Sequence, residues 1–199
     1  MTSKLAKLFA TLLLSSMPSI AFAHTGSGDT NSFVHGFGHP ISGIDHVLAM
    51  VMVGVFACHL GGRALWAVPS AFVVVMIIGG ALGAMHVSVP LVETGIALSV
   101  VALGLIVALR LSMPTAVAMG IVGLFAIFHG HAHGTEMPEN AGGAVCAAGF
   151  VLATALLYSI GIVIGAFVGR IGEHGRRLFL RSTGGLAAVA GIGLLVNIL

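Results

Sequence analysis

The sequence predicts an all-α polytopic membrane protein, with six transmembrane helices following a cleavable signal peptide. Three observations carry this. Of 199 residues, 58% are hydrophobic and only 7% are charged, against about 25% charged in an ordinary soluble domain. The apolar residues fall in blocks long enough to cross a bilayer, which takes roughly 20 residues each. The arginines fall only between particular blocks, as membrane topology requires. The formal charge of +2 is small and forms no basic stripe, so no nucleic-acid partner is expected.

Residues 1–23 read as a secretory signal. Lys4 and Lys7 make a basic start, Leu8 through Leu14 an apolar stretch, and Ala21-Phe22-Ala23 a small-x-small cleavage pattern. Ser15, Ser16 and Pro18 interrupt the apolar run, which disfavours an uncleaved first span. Cleavage there would make His24 the mature N-terminus and leave 24–199 as the permeation domain.

The six expected spans are 40–60, 65–85, 90–109, 115–132, 144–168 and 183–199. Breakers separate them: Gly61-Gly62-Arg63, the segment from His86 to Pro90, Arg110 to Pro114, Gly134 to Gly143, and the basic run from Arg170 to Arg181. With an external N-terminus, the loops after spans one, three and five face the cytoplasm. Those loops hold Arg63, Arg110, Arg170, Arg176, Arg177 and Arg181, which are all the arginines, and no lysine follows Lys7. The charge bias therefore places the chain in a bacterial inner membrane with both ends in the periplasm. Small-residue stripes, Gly79/Gly83 in span two and Gly161/Gly165/Gly169 in span five, suit close helix packing in lipid. Cys58 and Cys146 fall near opposite faces, so no disulfide between them is expected, and two cysteines make no zinc framework.

The same topology sorts the ten histidines. His24, His35, His39, His46, His86, His129, His131 and His133 fall on the outer side, and only His59 and His174 on the inner. The first cluster is His39-x5-Asp45-His46. Pro40 fits the first position of a helix, which puts His39 at its mouth and His46 about two turns below on nearly the same face. An aspartate this deep in a span needs a partner or a cation. Asp45 is either a ligand itself or the group that fixes the tautomer of His46. The second cluster is His129-x-His131-x-His133 with Glu136. His129 and His133 share a face at i,i+4, while His131 points away unless Gly130 and Gly134 let the helix unwind. Imidazoles with carboxylates suit a borderline divalent ion such as nickel, cobalt or zinc. His35, His86 and the free amine and ring of His24 are feeder ligands in this reading. Pro40 disfavours helix at His39 and so separates it from His35. Glu93 serves either as a helix N-terminal acid or as a ligand beside His86. Cys58-His59 is either an inner-end packed pair or an exit point.

At these motifs the sequence resembles the HupE/UreJ family of nickel and cobalt permeases. The resemblance rests on His39-x5-Asp45-His46 running on to Leu48-Ala49-Met50, and on Phe128-His129-Gly130-x-Ala132-His133-Gly134-x-Glu136. It covers the whole mature chain. It implies that His39, Asp45, His46, His129, His133 and Glu136 are needed for metal passage, with Ni2+ or Co2+ as cargo and no permanent cofactor. The expected partners are the ion and the lipid bilayer, and a homo-oligomer is compatible with the sequence. No P-loop pattern is present, so no nucleotide engine is expected. The alternatives are an intramembrane zinc hydrolase, for which no His-Glu-x-x-His motif exists, a bis-histidine haem carrier, and an accessory membrane subunit for metalloenzyme maturation.

Overall fold

Seven helices make up the described residues 32–137 and 142–198 of the computed structural model. They are α1 (Ser32–Ser42), α2 (Ile44–Leu60), α3 (Ala64–Ala84), α4 (Val92–Ala108), α5 (Thr115–Thr135), α6 (Gly142–Val168) and α7 (Gly172–Ile198). The expected signal segment and His24 lie outside the described residues.

The helices associate in close pairs. α3 packs along α5, α4 along α7, and α6 lies against both α1 and α2. α2 also touches α3 and α4 and so occupies the centre. Its Met50, Val53 and Phe56 are fully buried, together with Phe72, Val100, Leu103 and Val122 from its neighbours. Trp66, Ile77, Leu124, Phe167 and Val189 are exposed on the outside. In lipid such a surface is solvated, and packing rather than water exclusion joins the helices.

Glycine lets the backbones meet. A Cβ on Gly79 or Gly83 would strike the α5 backbone at Ile127 or His131, and one on Gly130 or Gly134 would strike α3 at Met76 or Gly80. Gly54 of α2 and Gly161 of α6 face each other in the same way, as do Gly104 and Gly184 of α4 and α7. Gly165 lies against Cys58, whereas Gly169 meets only its own helix and is not part of the contact.

Several expectations need correction. α5 does not unwind at Gly130 and Gly134, because those glycines are used to seat it on α3. The chain breaks instead at Gly43, where α1 and α2 meet at 80°. Pro40 is inside α1, not at the start of the following helix. It is tolerated in the final turn because the helix stops two residues later, and only the Gly36 carbonyl loses a bond. His39 and His46 therefore do not share one helical face. The run from Arg176 to Arg181 is not a loop, since α7 already begins at Gly172. Four helices are long and apolar enough to cross a membrane: α3, α5, α6 and α7. The bent α1–α2 pair makes a fifth if it counts as one span. The 17-residue α4 is shorter than the other four. It reaches about 25 Å and is bounded by Leu91 and Arg110, both in the left-handed conformation. The chain is thus a multi-pass helical membrane protein.

The arginines gather at one end. Glu173 bonds Arg110 at 2.6 Å and Arg176 at 2.8 Å, and Arg63 shares a groove with Thr115 at the start of α5. That end is opposite to the one where α2 and α5 carry their histidine clusters.

If the α3–α5 contact holds the bundle together, Gly130→Val should destabilise the detergent-solubilised protein by about 1–3 kcal/mol, seen as a lower melting temperature. Gly120 faces open space, so Gly120→Ala should melt at or slightly above the wild-type temperature. Equal melting of the Gly130→Val protein would exclude the close contact.

Candidate metal centre

Each ligand-type side chain is set by a local feature. Asp45 occupies the first turn of α2, where a carboxylate is favoured by the helix dipole. It accepts the His46 backbone N–H at 2.9 Å, and the same oxygen lies 3.3 Å from His46 Nδ1. A Cβ on Gly43 would fall 2.7 Å from that oxygen. Glycine at 43 therefore makes both the bend and the space for the Asp45–His46 pair.

His46 Nε2 then faces His133 Nε2 at 2.5 Å. Two imidazole lone pairs cannot approach so closely, so a proton lies between them. Asp45 holds the Nδ1 proton of His46, which makes His46 Nε2 the acceptor and His133 Nε2 the donor. His133 Nδ1 is left buried without a hydrogen-bond partner.

His129 is fully buried. Its Nε2 lies 2.8 Å from Ser99 Oγ, and that hydroxyl donates to the Ile96 carbonyl at 2.6 Å. With its hydrogen so used, Ser99 accepts the Nε2–H of His129. The other nitrogen, Nδ1, then carries a free lone pair, buried and unpartnered. The rings of His129 and His133 lie 4.5 and 4.3 Å from that of His46, edge-on. An unsatisfied buried nitrogen costs about 1–3 kcal/mol, and here two flank one imidazole. Imidazole nitrogens of this kind are chemically suited to a cation of borderline character.

A second group lies just outside. His39 Nε2 is 2.9 Å from Glu136 Oε2, and the donor atoms of His39, His133 and Glu136 all fall within 4.8 Å of one another. With metal–nitrogen bonds near 2.1 Å, two ligands of one ion stand at most about 4.2 Å apart. Within the outer group Glu136 is exposed. The inner group is slightly tighter than a closed coordination sphere at the His46–His133 contact. His133 belongs to both.

The structure thus brings together His39, Asp45, His46, His129, His133 and Glu136. His35 joins their edge, since its ring stacks on His39 at 5.9 Å and its Nδ1 lies 3.9 Å from Cys146 Sγ. The expected separation of His35 from His39 is therefore wrong, because α1 stays helical through Pro40. His131 is not in the cluster. With α5 unbroken it turns to the Val87 carbonyl, 2.8 Å away. His86 is in the exposed turn after α3 in the left-handed conformation. Glu93 is exposed in the first turn of α4. Among the described residues neither joins a group able to hold an ion. Ser99, Gly43 and Phe150, whose ring is 4.1 Å from His133, are site residues that sequence reasoning missed. A serine inside an apolar span was the available signal for the first.

Comparison with known proteins gives the family. The family described as HupE / UreJ protein matches residues 12–194. Protein HupE of Rhizobium leguminosarum bv. viciae is 47% identical over 194 residues, covering 98% of this chain and all of the relative. The chain belongs to the HupE/UreJ family. No solved structure matches. HupE/UreJ proteins form a metal-transporter family associated with nickel and cobalt uptake and are not enzymes, which removes the zinc hydrolase.

In this HupE/UreJ chain, Asp45 stands directly behind the His46 ring. Asp45→Asn should weaken nickel binding about 10–100-fold, the usual cost of losing a carboxylate behind a ligating histidine. Titration calorimetry on purified protein would measure it. An unchanged affinity would mean that Asp45 does not set the His46 tautomer.

Proposed function

We propose that this protein is a six-span inner-membrane permease that takes up Ni2+ or Co2+ from the periplasm. The α1–α2 pair and the short α4 count as spans in this reading, and the arginine-rich end faces the cytoplasm, as the positive-inside rule favours. The histidine end then opens to the periplasm.

The observation that carries the reading is the double membership of His133. Its ring touches His39 at 4.7 Å and His46 at 4.3 Å. The half-exposed set of His39, His133 and Glu136 captures a hydrated ion. Rotation of His133 hands it to the buried set of His46 and His129, and His35 feeds the mouth. The ion takes the free Nδ1 lone pairs of His129 and His133, and as the His133 ring turns, keeping its Nε2–H, it releases His46 Nε2 as a further ligand. Neutral imidazoles replace water one at a time, so no step strips the whole hydration shell. Inward movement is favoured by the membrane potential, about 2.3 kcal/mol per charge per 100 mV and twice that for a divalent ion.

Cells lacking other nickel importers and expressing this chain should accumulate radioactive nickel. His46→Ala and His129→Ala should each reduce the initial rate to near background at wild-type protein levels. Undiminished uptake by both variants sinks the mechanism.

A further inference from the structure

The histidine cluster lies at one end of α2, and a permeant ion must leave at the other. His59 comes 13 residues after His46 on the same helix, which places it about 20 Å further along the axis. There α2, α6 and α7 enclose a cavity of about 120 Å³ whose lining includes Cys58, His59, Gly165 and Arg176. Both ring nitrogens of His59 are inaccessible to solvent, and the Arg110 backbone is the hydrogen-bonding group beside them. A Cβ at Gly165 would fall 2.7 Å from Cys58 Cβ and 2.9 Å from its Sγ, so the glycine leaves the thiol its space. A cysteine sulfur and an imidazole together are a donor pair for borderline and soft divalent ions.

The interval between the two ends is also marked. Phe150, Thr154 and Tyr158 recur every four residues on α6 and share one face. Phe150 touches His133. The hydroxyls of Thr154 and Tyr158 are buried and unpartnered. Phe72 connects the ends of this series, with its ring 5.6 Å from His129 and 5.7 Å from Tyr158. One turn further, α6 meets α2 at Gly161 and then at Gly165, beside Cys58. Two orphan hydroxyls in an apolar span are costly unless something polar visits them.

We propose that the ion leaves past the hydroxyls of Thr154 and Tyr158 on α6, and that the cavity at Cys58 and His59 is its release station. This rests on the permease reading. The surroundings suit release. Arg176 lines the cavity, and its guanidinium shares Glu173 with Arg110. Two cations against one carboxylate leave a positive wall that keeps affinity for a divalent ion low. The same ion-pair network joins the turn after α4 to α7.

The test uses full-length protein in inside-out vesicles, with Cys146→Ala so that Cys58 is the sole thiol. Alkylation of Cys58 by N-ethylmaleimide is followed with and without Ni2+, and with Mg2+ as a hard-cation control. With Ni2+ about ten times above its dissociation constant, alkylation should slow about tenfold. His59→Ala should abolish that protection, and Mg2+ should give none. Protection should persist with His46→Ala, because the station fills from the inner side. This readout stands apart from uptake, so it separates failure of the release station from failure of the permease reading. No protection by Ni2+, or protection indifferent to His59, overturns the station. The route is read separately: Tyr158→Phe with Thr154→Val keeps the packing and should cut nickel uptake severalfold while Cys58 protection remains. Wild-type uptake by that pair overturns the route.

Discussion

The close approach of α3 and α5 underlies the arrangement of the site. A membrane helix gains nothing by hiding apolar surface from lipid, so its position depends on how closely backbones can touch. Gly79 and Gly83 on one helix and Gly130 and Gly134 on the other remove the side chains that would keep them apart. The second pair sits among the histidines themselves. Seating Gly130 and Gly134 on α3 fixes the rotation of α5, and that rotation turns His129 and His133 toward α2 and His131 toward Val87. The histidine spacing in α5 and the packing surface of α5 are one interleaved pattern, with glycines set between the histidines.

The histidines on α2 depend on a different constraint. Nothing in the packing of α2 requires a hydrogen-bonded aspartate in its first turn. Asp45 is there because the chain bends at Gly43, which exposes the helix N-terminus and opens room for the carboxylate. The carboxylate–imidazole pair made by Asp45 and His46 therefore comes from a break in the backbone. In the apolar interior, Ser99 gives His129 the same kind of support with a single hydroxyl.

Much of this was legible in the sequence. The helical class, the membrane setting, the two clusters and their meeting follow from apolar blocks, separated arginines and the spacing of His39, Asp45, His46, His129, His133 and Glu136. What was not legible concerns backbone geometry. Pro40 carries a helix-start signal as strong as its helix-stop signal, and only the packing of α1 on α6 decides between them. Gly130 and Gly134 look the same in sequence whether they loosen a helix or seat it on a neighbour. The partner of His131 is a backbone carbonyl, which no side-chain pattern reveals. Ser99 was hidden because a single serine in a span carries no periodicity.

The right-angled elbow at Gly43 also separates two properties of the chain. His39 rides on α1, whereas His46 rides on α2, and between them is a residue with no side chain to stiffen the joint. Substitutions along α1 can re-aim the first imidazole without disturbing the second. In the proposed permease, discrimination among arriving ions and the speed of their onward passage would thus attach to separate mechanical parts, each able to drift in evolution without dragging the other along.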